Sequence, residues 1–321
     1  MTMAQLAAIA GVSVSTVSKA FSGSGEISDK KREYIFEIAR REGCYDKYTK
    51  NPYNKSVIAI IYPEFKSRLY SEQLTFLEDE IKKHNGMAIV SCTDFDKDRQ
   101  DELLTFFSEY AKVDGIIIMG KYSEREFSLP VVSIGESDGK CDSVRVSSRK
   151  AVADAIKHFK EYGHSDIAFI GEPLTTSKCD MFREAMQKNK LEINEEYIIE
   201  GQGRFESAGY TAMNRLLELE APPTAILAAY DDIAIGAMKC IYEHGLSIPE
   251  DISIIGMDDI KETPYLSVPL TSITAYNEDL CQITVDMLFE RIKGSVKNIR
   301  NVKISRELIK RGSVGKVKKS K

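Results

Sequence analysis

The sequence predicts a small all-α head, a helix-turn-helix, joined to an α/β core of two similar subdomains. Three observations predict it. Residues 3–21, MAQLAAIAGVSVSTVSKAF, place apolar side chains at helical spacing on both sides of a glycine. At Val57-Ile58-Ala59-Ile60-Ile61 the pattern changes to the continuous apolar run of a strand buried on both faces. Strands and helices then alternate, and the alternation restarts near residue 160. A chain of 321 residues with 43% hydrophobic content is long enough for both parts.

In the head, Met3, Leu6, Ala7 and Ala10 share one face of a first helix, and Gly11 supplies the turn. Ser13 is an N-cap for a second helix through Val14, Thr16, Val17 and Ala20. Val17 is placed to lock that helix onto the first. Val14, Ser15, Ser18 and Lys19 are left facing outward, the arrangement by which a recognition helix enters a major groove of double-stranded DNA. Ser28 caps a third helix whose buried stripe is Tyr34, Ile35, Ile38 and Ala39, and Gly43 ends it. The head is expected over residues 1–44. Residues 45–56, YDKYTKNPYNKS, are polar, interrupted by Pro52, and read as a linker.

The core is expected over 57–312. Strands are predicted at 57–61, 87–90, 115–119, 131–134, 167–170, 225–228 and 253–256. Helices are predicted at 71–84, 101–110, 151–162, 181–189 and 233–244. Two such sets in series imply a cleft between them. Residues 313–321 are basic and are expected to form a disordered tail.

Composition excludes several classes. The formal net charge is −5, yet residues 1–50 carry eight basic and six acidic side chains. A basic head on an acidic body suits a protein that touches DNA with one end. No apolar run approaches the roughly 18 residues of a membrane span. QLAAIAGV lacks the basic segment that opens a signal peptide. The six cysteines are scattered, so neither a metal site nor a disulfide framework is expected, and a reducing cytoplasm fits. No cofactor is expected: Gly201-Gln202-Gly203 lacks the third glycine of a dinucleotide loop, and no Gly-Lys-Ser/Thr loop exists. The four histidines fall near helix C-termini, where they suit the macrodipole. No nucleophile–base pair is legible, so no catalytic residue is assigned and an enzyme is not expected. A small-molecule carrier without regulation is the other class considered, and the DNA-reading head argues against it.

Several motifs resemble the LacI/GalR family of bacterial transcription regulators. They are AQLAAIAGVSVSTVSKAFSG, then Tyr162-Gly163-His164-Ser165-Asp166-Ile167-Ala168, the Asp231-x-x-Ala-x-Gly236 segment, the run Glu243 to Asp259, and Pro269-Leu270-Thr271-Ser272-Ile273. The resemblance covers nearly the whole chain. It implies a periplasmic-binding-protein-like core with one subdomain over about 57–159 and 275–296 and the other over about 160–274 and 297–312. It also implies a homodimer on a pseudo-palindromic operator, in most members as a repressor, with a small molecule altering operator affinity. Val14, Ser15 and Lys19 then occupy base-reading positions: Val14 suits a thymine methyl, Ser15 either kind of base edge, and Lys19 guanine O6 and N7. Ser13, Thr16 and Ser28 suit phosphate contacts, which position without specifying.

The sequence departs from the family in two places. The family's hinge helix carries Ala-Arg-x-Leu and wedges a leucine into the minor groove. The linker here is shorter and has neither Arg nor Leu, which implies weaker DNA bending. In the cleft, Tyr230 stands where the family has Asn, Lys178 where it has Arg before the dipeptide now Met181-Phe182, Ser147-Ser148 where it has Asp-Asn, and Ala275 where it has Gln. Asp258 is kept. Loss of these groups strands sugar hydroxyls and implies an effector that is not an ordinary sugar. Two readings stay open. Tyr70 and Tyr230 wall a ligand site anchored by Lys178, Asp258, Asp231, Ser147 and Phe182, or Tyr230 fills the cleft and no effector exists. Asp231 is equally placed to cap the helix that follows it.

Overall fold

The structure, a computed structural model, describes residues 1–22, 26–48, 55–111, 113–120, 129–135, 137, 139–296 and 298–318. The head begins with a reciprocal cap. The Thr2 hydroxyl accepts from the Gln5 N–H at 3.2 Å, and the Gln5 side chain accepts from the Thr2 N–H at 2.8 Å. Helix α1 (Met3–Ala10) ends at Gly11, whose φ of +65° is the left-handed conformation that other residues resist. Helix α2 (Val14–Phe21) starts at the predicted Ser13 cap and α3 (Asp29–Arg41) at Ser28. Leu6, Val17 and Ile35 are fully buried between the three helices.

Two expectations for the head need correction. Tyr34 is exposed and not part of the buried stripe. It lies roughly 100° around the helix from Ile35, at the wrong edge of the stripe that Ile35, Ile38 and Ala39 form. The head also does not stop at residue 44. Helix α4 (Tyr45–Tyr48) packs the Tyr45 and Tyr48 rings against Phe21 at 6.0 and 5.7 Å, and the Tyr48 hydroxyl donates to the Met1 carbonyl at 2.6 Å. The first third of the expected linker therefore completes the aromatic side of the head. Pro52 and Tyr53 lie outside the described residues, so the hinge expectation falls there too.

The core contains two sheets. The first has β1 (Ser56–Tyr62), β2 (Gly86–Cys92), β3 (Gly115–Met119), β4 (Val131–Ile134) and β5 (Asp142–Ser147). The second has β6 (Ile167–Gly171), β7 (Ile198–Glu200), β8 (Ala225–Ala228), β9 (Ser253–Asp258) and β10 (Thr271–Thr274). The last two strands, β11 (Asn301–Ser305) and β12 (Leu308–Ile309), join one sheet each. The orders are β2-β1-β3-β4-β5-β11 and β7-β6-β8-β9-β10-β12, so the subdomains repeat one topology. Every pair is parallel except β10 with β12.

Helices cover both faces of each sheet, as parallel strands require. Helices α5 (Arg68–Lys83) and α11 (Asn277–Ile292) bury Leu77, Ile81, Leu280 and Leu288 against Ile58 and Ile60. Helix α6 (Lys97–Thr105), continued by a π-helical turn at Phe106–Tyr110, covers Ala59, Ile61, Ile116 and Ile118 from the other side. The second sheet packs with α7 (Arg149–Glu161), α8 (Thr176–Lys188), α9 (Glu206–Leu217) and α10 (Asp231–Glu243).

The expected subdomain boundaries shift for two physical reasons. The apolar stripe of α7, including Val152, Ile156 and Phe159, packs on the second sheet, so the first crossing lies at Ser147–Ser148 and not near residue 160. Strand β11 pairs with β5, so residues 301–305 belong to the first subdomain and not the second. The chain crosses again near Ala275–Tyr276 and at Arg306–Glu307, and the crossings are tied together. Arg306 N–H donates to the Ser147 carbonyl at 3.1 Å, and Thr274 N–H to the Glu307 carbonyl at 2.9 Å.

The expected disordered tail is corrected for residues 313–318. Ser313 is buried and donates to the Ile254 carbonyl at 2.6 Å, and Val317 N–H donates to the Tyr162 carbonyl at 3.0 Å. Residues 319–321 lie outside the described residues. Among the described residues no single helix is long and apolar enough to cross a membrane, and no group of three His, Cys, Asp or Glu is placed to hold a metal ion.

Candidate nucleic-acid interface and inter-subdomain cleft

The axes of α1 and α2 turn by 104°, within the range of a helix-turn-helix. With Val17 and Ala20 buried, the opposite face of α2 presents Val14, Ser15 and Ser18 to solvent, and Lys19 at its rim. Val14 is 47% exposed, an apolar side chain held in water at the start of the helix. Ser13 uses its hydroxyl on the Thr16 N–H at 3.1 Å and shares a second hydrogen bond with the Thr16 hydroxyl at 2.7 Å. Ser28 likewise caps α3. Lys19 forms an ion pair with Glu26, whose carboxyl is held below its ordinary value by that lysine.

The second site lies where the strand ends of the two subdomains face each other. The residues come from just beyond the C-terminal ends of parallel strands, the position at which open α/β sheets bind ligands. Glu64 and Tyr70 follow β1, Glu172 follows β6, Tyr230 follows β8, and Asp258 ends β9. Lys178 projects from α8 and Arg204 from the turn before α9. Together they line a cavity of about 140 Å³.

Of the sequence-predicted cleft residues, the structure brings Tyr70, Lys178, Tyr230, Asp231 and Asp258 to this cavity. Tyr230 is one wall of it and leaves space beside its ring. Lys178 donates to the Ala229 carbonyl at 2.7 Å, lies 3.7 Å from Asp258 and 5.4 Å from the Tyr230 ring centre. Burial pulls the Lys178 ammonium down from its usual value although Asp258 works the other way. Burial opposes the charge on Asp258, but Lys178 and Arg306 together hold its carboxyl below the ordinary range. The backbone at Asp258 and Asp259 has φ of +97° and +49°, consecutive strained positions at the cleft. Burial, with Asp258 and Glu64 nearby, pushes the Tyr70 phenol up to about 12.

Two predicted residues are not brought to the cavity. Phe182 is 1% exposed and packs on Phe169 at 5.5 Å, inside the second core. Ser147 ends β5 at the first crossing, where its carbonyl holds Arg306. Asp231 lines the cavity but its carboxylate points away. It accepts from the Ser272 hydroxyl at 2.6 Å and the Ile260 N–H at 2.9 Å, and makes no helix cap. Burial raises its pKa well above the ordinary range. A Cβ on Gly256 would sit 2.1 Å from Asp231 Oδ1, so this inward placement requires glycine there.

Sequence reasoning missed Glu64, Glu172 and Arg204. Arg204 donates to both oxygens of Glu64 at 2.6 and 2.8 Å and to Glu172 Oε1 at 3.0 Å. Arg68 adds a second link between the subdomains through Asp232 and Glu206. The signal for Glu64 and Glu172 was present, because each is the first charged residue after a buried parallel strand. Arg204 carried none, since its place follows from the turn at Gly201–Gly203.

Comparison with known proteins agrees with this architecture. Residues 2–43 match the model of bacterial regulatory proteins, lacI family, and residues 156–314 match a periplasmic binding protein-like domain. The chain is 29% identical to the ribose operon repressor of Haemophilus influenzae, over 99% of both proteins. It is 30% identical to the probable HTH-type transcriptional repressor ExuR of Bacillus subtilis, over 98% of both. A LacI family regulator of Enterococcus faecalis, solved with bound ribose, superposes with a TM-score of 0.70 at 26% identity, covering 82% of this chain and all of that one. From its helix-turn-helix head to its paired α/β subdomains, the chain belongs to the lacI family of bacterial regulatory proteins.

Proposed function

We propose that this chain is a cytoplasmic transcriptional repressor whose operator affinity is set by a small molecule bound between the two subdomains. The observation that carries the reading is the outward face of α2, where Val14, Ser15 and Ser18 stand in solvent with Lys19 at their edge. Val14, Ser15 and Lys19 read base edges. Ser13, Thr16 and Ser28 meet phosphates at helix starts, where backbone N–H groups also favour an anion.

A cavity of mixed lining, with charged side chains in its wall, joined to a three-stranded crossing supports the regulatory half. A ligand that binds one relative setting of the subdomains better than another shifts operator affinity by that difference. Lys178 and Asp258 anchor it, with Tyr70 and Tyr230 as walls. The effector is not an ordinary sugar, because Ser147 and Ala275 do not line the cavity and the Tyr230 hydroxyl already accepts from the Phe205 N–H at 3.4 Å. Edge strand β2 exposes Met87 and Ile89, at 46% and 42%, on one face. That edge suits pairing with a second copy, so the working unit is a homodimer on a pseudo-palindromic site.

Retardation of DNA from upstream of the protein's own coding region tests the reading. Specific retention that falls steeply between about 50 and 200 mM salt is expected. Retention no stronger than that of unrelated DNA would overturn it. Sedimentation of the Met87→Lys, Ile89→Lys double variant checks the dimer, which should dissociate.

A further inference from the structure

The cleft holds two carboxylates that water barely reaches. Glu64 is 5% exposed and Glu172 1%. A carboxylate withdrawn from water needs a cation or strong donors. Arg204 meets both, with a fork of two hydrogen bonds on Glu64 and a third from Nε to Glu172. Its guanidinium also lies 4.5 Å from the Phe205 ring centre and 5.6 Å from that of Phe95, so a planar cation is flanked by π faces.

Two further facts separate this arrangement from a structural ion pair. Glu172 lines the cavity, and its Oε2 is buried without a hydrogen bond, although burial and the nearby Glu172 carboxylate raise the pKa of the Tyr230 phenol, so one strong acceptor is incompletely met. The partners are also unequal. The Arg204 side chain is 35% exposed, whereas those of Glu64 and Glu172 are 7% and 1% exposed. Arg204 can swing into water, and the carboxylates cannot follow it.

We propose that the cleft is a cation site: its ligand is an amine, amidine or guanidine that donates to Glu64 and Glu172, and Arg204 fills the same slot as a tethered guanidinium. This rests on the cleft being the effector site. A neutral polyol can donate to Glu172 but brings no charge for Glu64 once Arg204 leaves. An anion would pair with Lys178 or Arg204 and strand the buried carboxylates. Because Glu64 and Phe95 belong to one subdomain and Glu172, Arg204 and Phe205 to the other, exchange of Arg204 for a ligand replaces one link between the subdomains by another.

The test is calorimetry and thermal shift on the full chain with benzamidine, agmatine and glucosamine, beside benzamide, glucose and glucuronate. At least one cation should bind and raise the melting temperature, and the matched neutral or anionic compound should not. Glu172→Gln should weaken that binding tenfold or more. Arg204→Ala should bind the same cation at least as tightly, because the tethered competitor is gone. Methylguanidine should restore the melting temperature that Arg204→Ala loses. Binding of glucose or glucuronate with the cations silent would overturn the cation site and leave the effector reading intact. Silence of the cations, with no rescue by methylguanidine, would also overturn it. Operator retention measured alongside separates the two readings: a cation that binds without changing retention keeps the site and removes its regulatory role.

Discussion

Arg306 Nη1 donates to Asp258 Oδ1 at 2.8 Å, tying the third crossing of the chain to the end of strand β9. Both side chains are nearly buried, at 10% and 7% exposure. Removing Arg306 leaves Asp258 with Lys178 alone at 3.7 Å, so the cost stays below the roughly 3–5 kcal/mol of a buried charge left with no partner. Arg306→Met should still lower the urea midpoint while keeping the aliphatic stem. The sign of the pH effect follows from the depressed Asp258 carboxyl. Its contribution is complete above the ordinary aspartate value of about 3.9 and declines as pH falls from there through the folded value. Without Arg306 the folded value rises, so the gap between wild type and variant should be widest near neutrality and shrink below about pH 4. A gap that stays constant into acid would contradict this.

The ion pair of Lys19 with Glu26 makes a prediction of opposite sign for two neighbours. On the proposed reading, Lys19→Ala should weaken specific operator binding by about 1–3 kcal/mol and relax preference at one guanine. Glu26→Gln releases the lysine and removes a negative charge from the DNA-facing side, so binding should tighten with sequence preference unchanged. Fluorescence anisotropy on specific and scrambled duplexes measures both. Equal loss on both duplexes in Lys19→Ala would reassign that lysine to the phosphate backbone.

His164 gives a second pH effect. Its Nε2 donates to the Gly315 carbonyl at 2.9 Å, and Nδ1 lies 2.9 Å from the Thr224 hydroxyl, partners that suit the neutral ring. Burial lowers its pKa, although the Gly315 carbonyl works against that. The unfolded chain then takes up the proton first, so stability is complete above the ordinary histidine value, about 6.5, and falls as pH drops below it. Melting temperatures between about pH 5 and 8 should show this slope in the wild type and a reduced one in His164→Gln. An unchanged slope in the variant would assign it to other groups.

The C-terminal segment yields a deletion test. Removal of residues 313–321 withdraws Ser313 from Ile254 and Thr271, and Gly315 from His164 and Ser253. Several buried backbone and hydroxyl groups are then left unpaired, at about 1–3 kcal/mol each. Chain ending at Lys318 should melt like the full chain, and chain ending at Gly312 should melt well below it. Identical melting of all three would show that these hydrogen bonds add nothing net.

These tests mark where the sequence was readable. The head was legible almost residue by residue, because Gly11, Ser13 and Ser28 are local signals that act on their own neighbours. The central strands were legible because a doubly buried parallel strand is apolar along its whole length. Strand β11 was not, since NVKIS alternates at a sheet edge and its pairing with β5 joins residues about 160 apart in the chain. The tail misled for a related reason: GKVKKSK is basic, but its order comes from backbone and small hydroxyl groups that carry no compositional mark. In the cleft, Tyr70, Lys178, Tyr230 and Asp258 follow strands or lead helices that the pattern located. Phe182 failed because one helical turn beyond Lys178 takes α8 over the second core. Arg204 needed the three-dimensional meeting of two strand ends, which no local pattern encodes.

The crossings also order events during synthesis. The head is complete once Tyr48 has emerged, with all its buried partners already made. The first subdomain waits for α11 and β11, and the second for β12 and the segment around Ser313. Nearly the whole polypeptide must therefore leave the ribosome before either half of the core can close. On the proposed reading, the DNA-binding module is complete for most of the translation time before the core that would pair and govern it, and a chain cut short would keep the grip while losing the control.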